Sequence, residues 1–253
     1  NTLLPIGLGT ERTEKKLEES FPNVPVFRID RDTTRNRSKL ENTISEINKG
    51  QAAILVGTQM LAKGHHFPEV TLVAVMDADA GLFSSDFRGQ EFMGQLLIQV
   101  AGRSGRGKNA GEVLIQTHNS THPTLNTLII DGYKQFSRTQ LEQREMANLP
   151  PFSYQALIRA EASKVSLPMD FLQEVQNITK HKLSSSSSTF TLGPLPAPME
   201  KRAGRFRFQL LLQSSSRAEL HTLLNHLVPV YEALPLSRKV RWSIDIDPTV
   251  TQY

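Results

Sequence analysis

Apolar and polar positions fall into three patterns along this chain: strict alternation, continuous apolar runs, and recurrence at helical spacing. From Val24 the segment VPVFRID alternates and then ends in charge, which predicts a strand. AAILVGT (Ala52 to Thr58) and VTLVAVMDAD (Val70 to Asp79) are nearly continuous apolar runs instead, the pattern of strands buried on both faces of a parallel sheet. Between the first two lies NRSKLENTISEINKG, with Leu40, Ile44 and Ile47 at helical spacing and Gly50 placed to terminate the helix. A second periodic segment, EFMGQLLIQVAG, precedes a further strand, GEVLIQTH, from Gly111 to His118. Strands and helices alternating in this way predict a doubly wound α/β layer.

After His118 the pattern changes. HPTLNTLIIDGYKQFSRTQLEQREMANL is long, amphipathic and helical in period, and Pro150 and Pro151 then stop it. Beyond come SYQALIRAEAS (strand), MDFLQEVQNITKHKL (helix), TFTLGPL (strand), RFRFQLLLQ (strand), AELHTLLNHLVPVYEAL (helix, bent at Pro229) and VRWSIDID (strand). The order βαββαβ is that of a split βαβ, ferredoxin-like α+β domain. Serines 184–188 are expected to form its flexible loop. The predicted organisation is therefore an α/β lobe over residues 1–120, a connecting helix and linker over 121–151, and a smaller α+β domain over 152–253.

With 253 residues there is enough chain for two cores, and no apolar run reaches the length of a membrane span. The absence of cysteine excludes disulfides and cysteine-ligated zinc within these residues. A formal net charge of +4 permits a polyanionic partner without requiring one, so the placement of the charge matters more than its sum. The opening NTLLPIGLGTE lacks an initiating Met and leads into a turn, so a fragment is expected, from a cytoplasmic protein.

Loops after the strands of an α/β sheet are where its ligand site is expected. GTQMLAKGHHFPEV (Gly57 to Val70) offers Thr58, Gln59 and Lys63 to phosphate or sugar oxygens, and Gly64 lets the backbone approach a ligand closely. His65 and His66 are adjacent, so on a strand or helix they point apart, and no third ligand is near; zinc is not favoured. In DADAGLFSSDF, Asp77 and Asp79 either orient a cation or cap the following helix, with capping preferred. QVAGRSGRG (Gln99 to Gly107) holds Arg103 and Arg106 three residues apart beside Gly102 and Gly105. On a helix the two guanidiniums share a face, where they either grip adjacent oxygens of a polyphosphate or complement a helix C-terminus.

QVAGRSGR resembles the sixth conserved motif of superfamily-two helicases. GTQMLAKGHHFPEVTLVAVMDAD, upstream in the family's order, is similar to the fifth motif of the bacterial primosomal replication-restart helicases, a DNA helicase family. GTERTEKKL, FRIDRDTT, LPPFSYQALIRAE and GRFRFQLLLQ resemble further segments of the same family, so the likeness covers nearly the whole chain. It implies a RecA-like second motor lobe followed by the family's C-terminal domain. It further implies that Arg103 and Arg106 reach ATP held by another lobe, that Gln99 and Gly102 shape that interface, and that Gly64 belongs to a nucleotide-sensing loop. Thr58, Gln59 and Lys63 would touch DNA or couple it to nucleotide. His65 and His66 stand where many related helicases carry an acid.

No GxxxxGK[ST] phosphate loop and no DExH-like box occurs in this sequence, and the resemblance implies that ATP and Mg2+ require a first lobe, and that zinc belongs to a cysteine-rich module, neither of which these residues supply. The resemblance implies an ATP-dependent 3′ to 5′ helicase as a full-length protein, nucleoid-associated, with this fragment expected to be inactive alone. Its expected partners are forked and single-stranded DNA and other primosome proteins.

In KRAGRFRFQLLLQ, Phe206, Phe208, Leu210 and Leu212 share the core face, while Arg205, Arg207, Gln209 and Leu211 share the other. In VRWSIDID, Val240, Trp242, Ile244 and Ile246 face inward and Arg241 outward. With Lys201, Arg202, Arg238 and Lys239 these form a basic cluster that either tracks a phosphate backbone, receives an acidic peptide, or is a solvated sheet face. The family resemblance implies contact with DNA and with the acidic C-terminal tail of single-stranded DNA-binding protein, Arg205 and Gln209 standing at the matching positions. The alternative to a motor fragment is thus a non-catalytic DNA-binding and docking module.

Overall fold

The computed structural model describes residues 9–30, 45, 47, 51–58, 70–102, 111–183 and 187–249. The chain divides into two compact units, Asn1–Tyr133 and Lys134–Tyr253, each taken separately below.

In the first unit, helix α1 (Thr10–Ser20) precedes strand β1 (Val26–Ile29), which pairs in parallel with β2 (Ile54–Gly57). Arg28 binds α1 to β1: its guanidinium lies 2.9 Å from Glu11 and 3.1 Å from Glu14. Strand β3 (Leu72–Val75) leads into a single turn, α2 (Asp79–Leu82), and then α3 (Gly89–Ala101), before β4 (Glu112–Ile115) pairs in parallel with β3. The turn packs closely on α3 through glycine, because a Cβ on Gly89 would sit 2.1 Å from Ser84 Cβ. This is the mixed helix and parallel-strand architecture expected of the α/β lobe.

Burial in β3 differs from the expectation, and its partner β4 shares the pattern. Val73, Val75, Val113 and Ile115 share a half-buried face, but Leu72 (53% exposed) and Leu114 (50% exposed) lie on the other. A continuous apolar run predicts a layer over both faces, and among the described residues only one face is packed.

α4 (Pro123–Asn126) is capped by His122, whose Nδ1 accepts from Thr124 N–H, and passes into a π-turn over Thr127–Asp131. At Gly132 φ is +81°, which ends the turn, and α5 (Gly132–Met146) follows. The single amphipathic helix expected here is therefore broken where glycine admits a left-handed backbone.

The second unit contains β5 (Tyr154–Ala162), α6 (Ser166–Lys182), β6 (Thr189–Arg202), β7 (Arg205–Ser214), α7 (Arg217–Ala233) and β8 (Arg241–Ile246). The sheet order is β6-β7-β5-β8 with every pair antiparallel, so β7 is inserted between β5 and β6, as the split βαβ reading requires. Ala156, Ile158 and Ala160 on β5, with Phe208, Leu210 and Leu212 on β7, form the packed face against Phe171, Leu172 and Val175 of α6 and Leu220, Leu224 and Tyr231 of α7. Val240, Trp242 and Ile244 join this core, but Ile246 is 43% exposed at the strand end, against the inward expectation. A chain of buried amides closes one end of the sheet. Gln155 Nε2 donates to Gln213 Oε1 at 2.8 Å, and Gln213 Nε2 donates to the Asn148 carbonyl at 2.7 Å.

Candidate functional site

Of the residues expected at the nucleotide and DNA edge, Gln59, Lys63, Gly64, Arg103 and Arg106 lie outside the described residues, as do His65 and His66. Gln99 and Gly102 fall at the C-terminal end of α3: Gln99 is half-buried, and Gly102 is exposed, its N–H donating to the Ile98 carbonyl at 3.0 Å. Met93, Leu97 and Val100 are the buried side chains that anchor this helix. The helix thus delivers the chain, at its last turn, directly into the arginine motif. Thr58 is exposed, one residue beyond β2 and so at the strand end where ligand loops start.

The two strand-end aspartates divide their work. Asp77, in a left-handed conformation (φ 57°), accepts the Ala80 N–H at 3.3 Å and so caps α2. Asp79 instead ties β3 to β4, accepting Thr117 Oγ1 at 2.6 Å and the His118 N–H at 2.8 Å, with His118 Nδ1 also 2.8 Å away. The Thr117 hydroxyl first, then the His118 backbone, hold the Asp79 carboxyl well below the usual carboxylate range. The preferred capping reading fits Asp77, whereas Asp79 acts as a cross-strand clamp.

Side chains on the sheet face opposite the helices of the second unit follow from strand register. Gln209 lies opposite both Arg159 on β5 and Leu195 on β6, while Arg207 lies opposite Glu161, which in turn faces Arg241 on β8. Arg205 and Gln209 therefore share this face, with Arg207 between them. One carboxylate serves two cations weakly: Glu161 Oε1 is 3.8 Å from Arg205 Nε and 4.0 Å from Arg241 Nη1. Arg159 is held more firmly, 2.9 Å from Asp245. Arg159, Glu161, Arg207, Arg241 and Ser243 line a shallow depression on this face. Arg159 and Glu161 are additions to the expected set; their signal was the alternation of RAEA, in which Ala160 and Ala162 take the core face.

Comparison with known proteins places both units. The family model for the helicase conserved C-terminal domain matches residues 8–108, and that for the primosomal protein N C-terminal domain matches residues 145–249. The replication restart protein PriA of Haemophilus influenzae is 46% identical over 248 residues, covering 97% of this chain and 33% of that protein. The chain belongs to the PriA family. PriA of Chlamydia pneumoniae is 35% identical over 252 residues (99% of this chain, 33% of that protein), and PriA of Bacillus subtilis 34% over 242 residues (96% and 30%). The chain spans about a third of the length of these curated relatives. The parallel-strand unit is thus the RecA-like second lobe, and the antiparallel unit the PriA C-terminal domain. Among the described residues no helix is long and apolar enough to cross a membrane.

Proposed function

We propose that this chain supplies the second motor lobe and the C-terminal domain of an ATP-dependent DNA helicase that restarts stalled replication forks, moves 3′ to 5′ and initiates primosome assembly. The observation that carries this reading is the tandem family match, helicase lobe then primosomal domain, with α3 ending at Ala101 and its cap Gly102 immediately before Arg103 in the sequence. A guanidinium pair fits the phosphates of ATP, which Arg103 and Arg106 would clamp by bidentate hydrogen bonds, Gln99 and Gly102 shaping the approach. Nucleotide bound with Mg2+ to the first lobe would supply the energy for strand separation. Gly64 would sense it, and Thr58, Gln59 and Lys63 would hold the DNA backbone. Zinc would sit in a cysteine-rich module elsewhere in the full-length protein, which would act in the cytoplasm at the nucleoid. The acidic tail of single-stranded DNA-binding protein would dock at Arg205 and Gln209, beside the arginine-lined depression.

In the full-length protein, Arg103→Ala is expected to lower DNA-stimulated ATP hydrolysis by about 10³-fold or more, the scale of an arginine finger, with DNA affinity retained. Unchanged turnover would remove the assignment. A second reading, a docking module without motor activity, draws on the closed core of the second unit and its separate family match. A titration of the chain with forked DNA and with an aspartate-rich peptide tests it, a flat response at low salt counting against docking.

A further inference from the structure

Helix α3 leads straight into the arginine motif, and at its other end one amide side chain ties it to two further elements. Gln90, the second residue of α3, donates from Nε2 to the carbonyl of Leu82, the last residue of α2, at 3.0 Å. Its Oε1 accepts from Thr124 Oγ1 at 3.3 Å, and Thr124 is buried in α4. The Leu82 carbonyl stands at a helix end, where carbonyls lack an intrahelical donor, so the amide supplies one. The body of α3 is held differently. Met93, Leu97 and Val100 recur at helical spacing as a buried stripe, and a Cβ on Gly81 would sit 2.6 Å from Met93 Cβ, so α2 lies close against it. Apolar burial is non-directional and tolerates small slides and tilts of a helix, whereas hydrogen bonds weaken steeply away from their preferred angles. Two bonds from one side chain to partners on different elements therefore fix what packing leaves loose.

We propose that Gln90 is a positioning residue for ATP hydrolysis: by fixing the first turn of α3 it sets where the arginine motif beyond the last turn meets the nucleotide. This role deepens, and rests on, the one given above to Arg103 and Arg106. With 13 residues, α3 is about 20 Å long at about 1.5 Å per residue. Over that length a tilt of about 3° moves the far end by about 1 Å, and a misplacement of about 1 Å at a reacting group costs on the order of 10²-fold in rate. Gln90 stands at the opposite end of the helix from the motif, so its effect runs through α3 and not through contact with nucleotide.

The test measures DNA-stimulated ATP hydrolysis by the full-length protein. Gln90→Met keeps the side-chain length and removes both hydrogen bonds; kcat should fall by about 10- to 100-fold, with the KM for ATP within about twofold of its natural value. Affinity for ADP with aluminium fluoride, a mimic of the transferring phosphoryl group, should fall by the same factor as kcat, while affinity for ADP alone is unchanged. With Arg103→Ala and Arg106→Ala already in place, Gln90→Met should lower the residual kcat and the fluoride-complex affinity by less than about twofold, since no guanidinium remains to be aimed. Thr124→Val should give a smaller fall than Gln90→Met, and Thr124→Ser none. An equal fall in both backgrounds overturns the inference, because Gln90 would then be a general support of the fold; so does natural turnover in Gln90→Met. If circular dichroism shows Gln90→Met unfolded, Thr124→Val carries the same comparison in both backgrounds. Natural turnover in the double-arginine variant would remove the arginine role itself, whereas lost turnover there with natural turnover in Gln90→Met would remove the positioning role alone.

Discussion

The hydroxyl chain inside the second unit permits a sharp prediction. Thr179 and Tyr231 are fully buried, and their oxygens are 2.6 Å apart. Thr179 has one hydroxyl hydrogen, which it donates to the Val175 carbonyl at 2.7 Å, so Tyr231 must be the donor in the pair. Burial raises the Tyr231 phenol above its ordinary 10, so it remains a donor throughout neutral pH. Tyr231→Phe removes that donor and leaves Thr179 still bonded to Val175, which should cost about 1 kcal/mol, the net value of one hydrogen bond. Thr179→Val keeps the shape but strands a buried phenol without its Thr179 partner, which should cost about 2 kcal/mol, within the 1–3 kcal/mol range for an unsatisfied buried group. The double variant removes both polar groups together and should cost less than the two single costs added, with a coupling of about 1 kcal/mol or more. Trp242 is the sole tryptophan and packs 5.6 Å from Phe171, so its fluorescence in urea reports on this core alone. If Thr179→Val proves no more costly than Tyr231→Phe, or if the two simply add, the donor assignment is wrong.

Two further outcomes follow from local geometry. Glu219 accepts hydrogen bonds from the hydroxyls of Ser187, Ser188 and Thr189, which hold its carboxyl below the ordinary 4.5. A depressed folded-state pKa gives stability that is full above that ordinary value and lost as pH falls through the folded value. The Trp242 melting temperature should therefore drop on acidification below about pH 4.5 more steeply in the natural chain than in Glu219→Gln; parallel curves would refute the linkage. Gly89→Ala places a Cβ 2.1 Å from Ser84 Cβ and should destabilise the first unit by about 1–3 kcal/mol, read as an earlier circular-dichroism transition with the Trp242 transition unmoved. An unshifted transition would show that the turn before α3 yields freely.

Alternation was the most legible signal, because a strand with one packed face must place its apolar residues at every second position. RFRFQLLLQ revealed its core face this way through Phe206, Phe208, Leu210 and Leu212, and Arg205, Arg207 and Gln209 on the other face belong to the candidate docking face. Composition within a segment misled in two places. TFTLGPL was expected to end near Leu195, yet β6 continues to Arg202 through Pro194, Pro196 and Pro198. Proline lacks the donor a central strand needs, but β6 is an edge strand with one neighbour, so the missing N–H groups need not break the ladder. The apolar run Val70 to Asp79 predicts burial on both faces, but apolarity alone does not say whether a second layer is present, and there the exposed Leu72 gives the answer.

The positions where sequence and structure part company follow a physical rule. Helix period and strand alternation are local consequences of burial, so they survive in the sequence; a turn's handedness, a bulge and a shared counter-ion depend on residues brought together from far apart. Nothing in KRAG alone tells that Arg202 will face Arg205 across a left-handed turn, and nothing in RAEA tells that Glu161 will lie between Arg205 and Arg241. These are the features that separate the basic hairpin end from the arginine-lined depression. A composition-level reading sees one basic cluster where the folded sheet sets Lys201 and Arg202 at the hairpin end, apart from the depression lined by Arg159, Arg207 and Arg241. Because the two sets of cations stand apart, salt-sensitive DNA binding and acidic-peptide binding should separate under substitution. If charge at either place shifted both binding constants equally, the face would act as one electrostatic field and the division between hairpin end and depression would be lost.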